Sequence, residues 1–195
     1  MMAYWNCLAK ENGLNGITFA YQHHKYYFYG KNHKIFDYGI EYQPGFAQLA
    51  NDQGVRKIIR RYGLKFEAIT QKFFQGKFMF KPNNIRRISY DQVWNSILNY
   101  KHDTEKMIPG AFVDWDNSPR HGTNGTVMDG VSVNKFKKYF KQAVVNARDI
   151  YKKDMIFLFA WNEWAEGGYL EPDEKNGTGY LQAIYDSLKE TGELE

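Results

Sequence analysis

The chain has 195 residues and a mass of 23.0 kDa, room for one ordinary domain with a real core and too little for two full ones. Its 43% hydrophobic and 25% charged residues are the mix of a globular domain, and an aromatic share of 17% suits stacking on sugar rings as well as core packing. A net charge of +4 in scattered groups, without a recognisable reading motif, argues against nucleic-acid binding, and the lone Cys7 excludes an internal disulfide framework and suits a reducing compartment.

The first predicted element is a helix from Ala3 to about Asn12, stopped by Gly13, followed by a strand from Gly16 to Gln22. A wet aromatic loop runs from His23 to Tyr29. A second strand is expected around Tyr38 to Gln43, ended by Pro44-Gly45, and the region through about Ile88 is poorly patterned, with helical pieces near Val55 to Tyr62. Ser89 and Gln92 stand at capping-box spacing and start a helix carrying Val93, Trp94, Ile97 and Leu98. The strand Gly110 to Val113 feeds a polar loop, Asp114 to Gly122, rich in turn residues. A long helix follows from about Asn134 to Tyr151. Its apolar Phe136, Phe140, Ala143 and Val144 recur at helical spacing, which leaves Lys135, Lys137, Lys138 and Lys141 on the solvated side. The apolar strand Met155 to Ala160, a glutamate-rich loop and a helix from about Tyr180 to Glu190 close the chain. The triplets at Asn124 and Asn176 match a glycosylation acceptor but read as turns, because Asn-Gly is first a turn signal. There is no basic-then-apolar leader and no apolar stretch of bilayer length, so the expectation is a soluble cytoplasmic protein, with the inner face of the membrane as the alternative location.

Strands alternating with helices, and polar aromatic loops after the strands, predict an α/β fold of parallel βα units. A closed eight-stranded barrel takes about 250 residues. The expectation is therefore one domain over 1–195 forming the C-terminal half of a (β/α)8 TIM-type barrel, with an open four-stranded doubly wound sheet as the rival. In either architecture the chemistry belongs to the loops at the C-terminal ends of the strands.

Two loops hold the candidate residues. Ala160-Trp-Asn-Glu-Trp-Ala-Glu-Gly-Gly-Tyr-Leu-Glu-Pro-Asp173 follows the last strand, and Glu163 and Glu166 form a carboxyl pair suited to an oxocarbenium-like transition state. An odd offset would put them on opposite faces of an extended strand, so the pair requires a turn, for which Gly167-Gly168 supply the backbone freedom. Trp161 and Trp164 are expected as apolar walls that raise one glutamate's pKa, and Asn162 as a donor to a sugar hydroxyl. The other loop, Asp114-Trp-Asp-Asn-Ser-Pro-Arg120-His121, has three readings. It is a sugar-binding loop with Trp115 as platform and Asp116, Asn117 and Arg120 as polar contacts, an Asp-x-Asp clamp for a divalent ion on a sugar-nucleotide donor, or turn-forming structure alone. The histidines lack zinc-site spacing, and neither a phosphate-cradling glycine loop nor a nucleophile elbow occurs.

The two loops together, with Gly179-Tyr180-Leu181, resemble the WbsX-like family of glycosyltransferase-like proteins of lipopolysaccharide and surface-polysaccharide biosynthesis, related to glycoside hydrolase family 99. The likeness is specific in the last third and looser over Tyr4 to Gly16 and Tyr38 to Pro44. Family-99 enzymes are (β/α)8 barrels with an Asn-Glu-Trp-x-Glu-Gly segment, matched here by Asn162 to Gly167. The resemblance implies that Glu163 assists attack by the sugar's own 2-hydroxyl and that Glu166 is the general acid/base. WbsX-like domains run longer, which implies an N-terminal half beyond this sequence and a need to cover exposed edges by self-association or by pairing with that half.

The expected function is a carbohydrate-active enzyme that makes or cleaves a glycosidic bond in a bacterial surface glycan. Glu163 and Glu166 are catalytic in this reading, and Trp115, Asp116, Asn117, Arg120, Trp161, Asn162, Trp164, Tyr169 and Glu171 bind a glycan or sugar donor. It calls for no cofactor or metal and no nucleic-acid partner. The alternatives are a metal-dependent Asp-x-Asp transferase and a non-catalytic glycan-binding fragment.

Overall fold

The structure, a computed structural model, describes residues 1–23, 35–50, 85–99 and 104–195. The aromatic loop expected after His23 and the helical pieces near Val55 to Tyr62 lie outside the described residues.

The chain opens with α1 (Met2–Glu11), ended at Asn12 and Gly13, whose φ of 82° places it in the left-handed region that glycine tolerates. The parallel strands β1 (Ala20–His23) and β2 (Tyr38–Glu41) pair in register from Ala20 with Tyr38 to His23 with Glu41. β2 leads through a cis Gln43–Pro44 peptide into α2 (Gly45–Ala50). β3 (Arg86–Ser89) then runs into α3 (Tyr90–Asn99), where the Ser89 hydroxyl accepts the Gln92 N–H at 3.4 Å as the capping spacing predicts.

The segment 107–112 contributes a strand to each of two sheets. Pro109 has no N–H for a ladder, and it divides the segment into β4 (Met107–Ile108), which pairs with β2, and β5 (Gly110–Phe112), which pairs with β7 (Phe157–Phe159). All these pairings are parallel. Where β5 passes the end of β2 only glycine fits, since a Cβ on Gly110 would lie 1.7 Å from the Glu41 carbonyl oxygen. A separate parallel pair joins β3 to β6 (Thr126–Asp129). The short helix α4 (Ser118–His121) precedes β6, and α5 (Val133–Asn146), a π-helical turn to Tyr151, a hairpin and α6 (Gly179–Glu190) complete the chain.

The main core lies between these strands and α3, α5 and α6. Trp94 of α3 is fully buried, stacked between Phe112 of β5 at 5.4 Å and Tyr139 of α5 at 5.7 Å. α5 buries Phe136, Phe140, Ala143 and Val144, the stripe read from helical spacing. Its lysines lie on the opposite side, and three of them pair with acids of the neighbouring helices. Lys137 bonds Asp186 and Glu190 of α6, Lys141 bonds Glu190, and Lys135 bonds Asp91 of α3.

The α/β class and the parallel pairing match the sequence reading. Among the described residues the strands form no closed barrel, because closure requires two neighbours for every strand while β1 pairs only with β2 and β7 only with β5. Several elements are also shorter than predicted. The strand expected over 155–160 is confined to 157–159, and that expected from Gly16 begins at Ala20.

Candidate active site

The chain bends directly after β7. The Phe159–Ala160 peptide is cis, and the next residues form an antiparallel hairpin, β8 (Asn162–Glu163) with β9 (Gly168–Tyr169), closed by a 3₁₀ turn over Trp164–Glu166. This is the turn that the spacing of Glu163 and Glu166 requires. Gly167 sits at φ 66°, its N–H donating to the Trp164 carbonyl at 3.2 Å, and a Cβ on Gly168 would lie 2.3 Å from the Phe159 ring. Each glycine therefore does a different task, one conformational and one steric.

The loop after β5 is laced to this hairpin. The Asp116 N–H donates to the Glu166 carbonyl at 2.7 Å, and the Asp116 carboxylate accepts the Ser118 N–H at 2.8 Å, turning the chain into α4. Asn117 holds the other side of the loop, its side chain accepting the Thr126 N–H at 2.7 Å while its own N–H donates to the Thr126 carbonyl. α4 so placed points Arg120 at the hairpin. One guanidinium nitrogen lies 3.2 Å from Glu163 Oε1 and the other 3.3 Å from Glu166 Oε1. A single planar fork thus gathers both carboxylates and offsets their mutual repulsion. Glu166 is the more sheltered of the pair, with 21% of its side chain exposed against 35% for Glu163.

The aromatic residues divide by role. Trp115 is half-buried, its ring tilted against Phe159 at 5.5 Å and packed on the core. Trp164 stacks on Tyr169 at 3.8 Å and donates from its indole N–H to Glu171 at 2.6 Å, and the Tyr169 hydroxyl donates to Asp173 at 3.0 Å. Asp173 in turn accepts from the Asn176 backbone and side chain, which builds the turn read at the second Asn-Gly-Thr. Trp161 is exposed, as is Asn162 beside it. Arg120, expected as a substrate contact, bonds both acids.

Residues that sequence reasoning passed over complete the site. A cavity of about 310 Å³ lies beside the hairpin, lined by Glu163 and Asn162 from β8 and by Glu41, Tyr42 and Gln43 from the end of β2. Burial, with the negative charges of Glu166 and Glu163, pushes the Tyr42 phenol up. Glu41 is almost wholly buried, receives the Tyr151 hydroxyl at 2.8 Å, and is pushed by burial up to about 8. The available signal was a glutamate and a glutamine, two apart, at the C-terminal end of an otherwise apolar strand. Asp114 is also raised, to about 6, by burial that its bond from the Trp115 N–H only partly offsets. Asp114 and Asp116 each commit an oxygen to a backbone N–H, and the described residues hold no group of three or more His, Cys, Asp or Glu able to grip an ion.

Among the described residues no helix is long and apolar enough to cross a membrane. The uncharacterized protein WxcX of Xanthomonas campestris pv. campestris strain B100 is 35% identical over 86 residues, and its counterpart in strain ATCC 33913 matches equally. The match takes in 42% of this chain and 12% of each relative, so this chain spans only a small part of their length. No solved structure matches. The model of the family described as Glycosyltransferase WbsX matches residues 1–184, nearly the whole sequence and all of the site just described, and the chain belongs to that carbohydrate-active family.

Proposed function

We propose that this chain makes or cleaves a glycosidic bond in lipopolysaccharide or another bacterial surface polysaccharide, with Glu163 and Glu166 as the acting carboxyl groups. The observation that carries this reading is the convergence of both acids on Arg120, at 3.2 and 3.3 Å, beside a cavity at the C-terminal end of parallel strands. Glu166, the more sheltered acid, gives a proton to the leaving glycosidic oxygen and later takes one from the incoming hydroxyl. Glu163 accepts the proton of the sugar's 2-hydroxyl as that oxygen closes on the anomeric carbon, and returns it when the incoming hydroxyl attacks that carbon and opens the ring, so no enzyme nucleophile is needed. Exposed Trp161 and Asn162 contact the neighbouring part of the glycan. In the same reading residues 1–195 are one domain within a (β/α)8-type architecture, whose further strands would pair with the outer edges of β1 and β7.

The test is turnover of oligosaccharides released from bacterial surface polysaccharide, assayed with the full chain and with Glu163→Gln and Glu166→Gln. Each substitution is expected to lower kcat by about 10²-fold or more, the range for loss of a general acid or base, with a chelator having no effect. Turnover that survives Glu166→Gln and disappears on chelation would move the chemistry to Asp114 and Asp116.

A further inference from the structure

Trp164 stands in the turn of the β8–β9 hairpin, between the two acids in sequence, with 49% of its surface exposed. One face of its indole lies on the Tyr169 ring, 3.8 Å between centroids and 15° from parallel, and the ring N–H is committed to Glu171 at 2.6 Å. Its partner is tethered in turn. The Tyr169 hydroxyl donates to Asp173 at 3.0 Å, and Asp173 accepts from the backbone and side chain of Asn176. Among the described residues the other exposed indoles, Trp5 and Trp161, make no hydrogen bond through the ring nitrogen.

With one face covered by Tyr169, the exposure of Trp164 belongs to its other face and its free edge. With the N–H committed, that face offers a ligand a π surface and no donor. The negative face of an indole attracts the weakly positive C–H groups on the apolar side of a pyranose ring. Because the indole is already fixed, stacking a sugar on it sacrifices little further side-chain freedom. Asn162 and Glu163 line the cavity beside the hairpin, whereas Trp164 does not, so a sugar on the indole is a different unit from one in the cavity. We propose that Trp164 is the shelf for a second pyranose unit, flanking the unit at the glutamates, and that the ligand is a glycan of at least two sugars. Glu171 is a positioning residue that sets the angle of the shelf. The proposal rests on the reading above for the place of the reacting bond between the two units, while binding to the indole needs no turnover.

Binding is measured by ligand-observed NMR and by tryptophan fluorescence, with the full chain carrying Glu166→Gln so that nothing is consumed. The probes are the methyl glycosides of cellobiose, maltose, lactose and mannobiose. At least one should bind and shift the tryptophan emission. Trp164→Ala should weaken it about tenfold or more and remove most of the shift. Trp164→Phe keeps a π face, so affinity should stay within about threefold while most of the shift disappears. Trp5→Ala should change neither. Glu171→Ala, which frees the indole, should weaken binding several-fold, and Glu171→Gln, which still accepts the N–H, should restore it. No disaccharide bound, or affinity unchanged by Trp164→Ala, would overturn the shelf, and affinity unchanged by Glu171→Ala would overturn its tethering. If Trp164→Ala does not fold, Trp164→Phe decides, since an emission shift that survives it undiminished places the sugar elsewhere. Trp164-dependent binding in a chain that never turns over would sink the catalytic reading alone. Turnover lost in Glu166→Gln, with binding indifferent to Trp164, would sink the shelf alone.

Discussion

Arg120 is the residue on which the two glutamates depend. It lies 43 and 46 positions away from them in sequence and reaches them only because Asp116 and Asn117 fold their loop against the hairpin and β6. About half of its side chain is exposed, so its two ion pairs are screened and each is worth no more than about 1 kcal/mol to folding. Its importance should therefore register in rate rather than in stability. Arg120→Met is expected to lower kcat at least tenfold while leaving the thermal midpoint nearly unchanged. Arg120→Lys should rescue little, because a point ammonium cannot span both carboxylates as the fork does. Kinetics and melting curves on the same preparations check this, and a large fall in midpoint with intact kcat would make Arg120 a structural residue.

At the scale of the element, the β8–β9 hairpin sets the geometry of the acids and is itself set by Phe159. That ring is buried, edge-on to Tyr42 at 5.4 Å and tilted against Trp115 at 5.5 Å, so it has little room to yield. Gly168→Ala would drive a methyl into it and is expected to cost about 1–3 kcal/mol, as overpacking does, and to lower turnover by shifting Glu166. Gly177→Ala, at φ 54° with open space around it, should incur only the left-handed backbone cost of about 1–2 kcal/mol and leave turnover unchanged. Denaturant unfolding and kinetics on the two variants separate steric displacement of the site from general destabilisation.

Across the whole molecule, buried acids should make stability depend on pH in an unusual direction. Folding raises Glu41 from 4.5 to about 8 and Asp114 from 3.8 to about 6, so between these limits the folded chain keeps protons that the unfolded chain has released. The stabilising contribution is complete below the unfolded values and declines as pH rises through the folded ones, at up to about 1.4 kcal/mol per pH unit for each group. Asp91, held low by Lys135 and Tyr139, acts oppositely and loses its contribution as pH falls below the ordinary carboxylate range. The thermal midpoint is thus expected to peak near pH 4 and to fall toward pH 8, and Glu41→Gln should flatten the decline above pH 6. A midpoint that climbs steadily from pH 5 to 8 would contradict the burial of Glu41.

The sequence by itself determined the α/β class, the helices that bury Trp94 and Phe136, the turn after Ala160 and the family, because these depend on local periodicity, turn chemistry and a contiguous motif. It could not show β4, only two residues long, or β6, which starts at Thr126 inside a triplet that reads as a turn. Nor could it rest the Trp115 ring on Phe159, bring Arg120 to the glutamates, or place Glu41 and Gln43 along the lining of a cavity. Those facts depend on which strand lies beside which and on what is left without water, and contacts spanning some 40 to 110 positions leave no period in the chain to read.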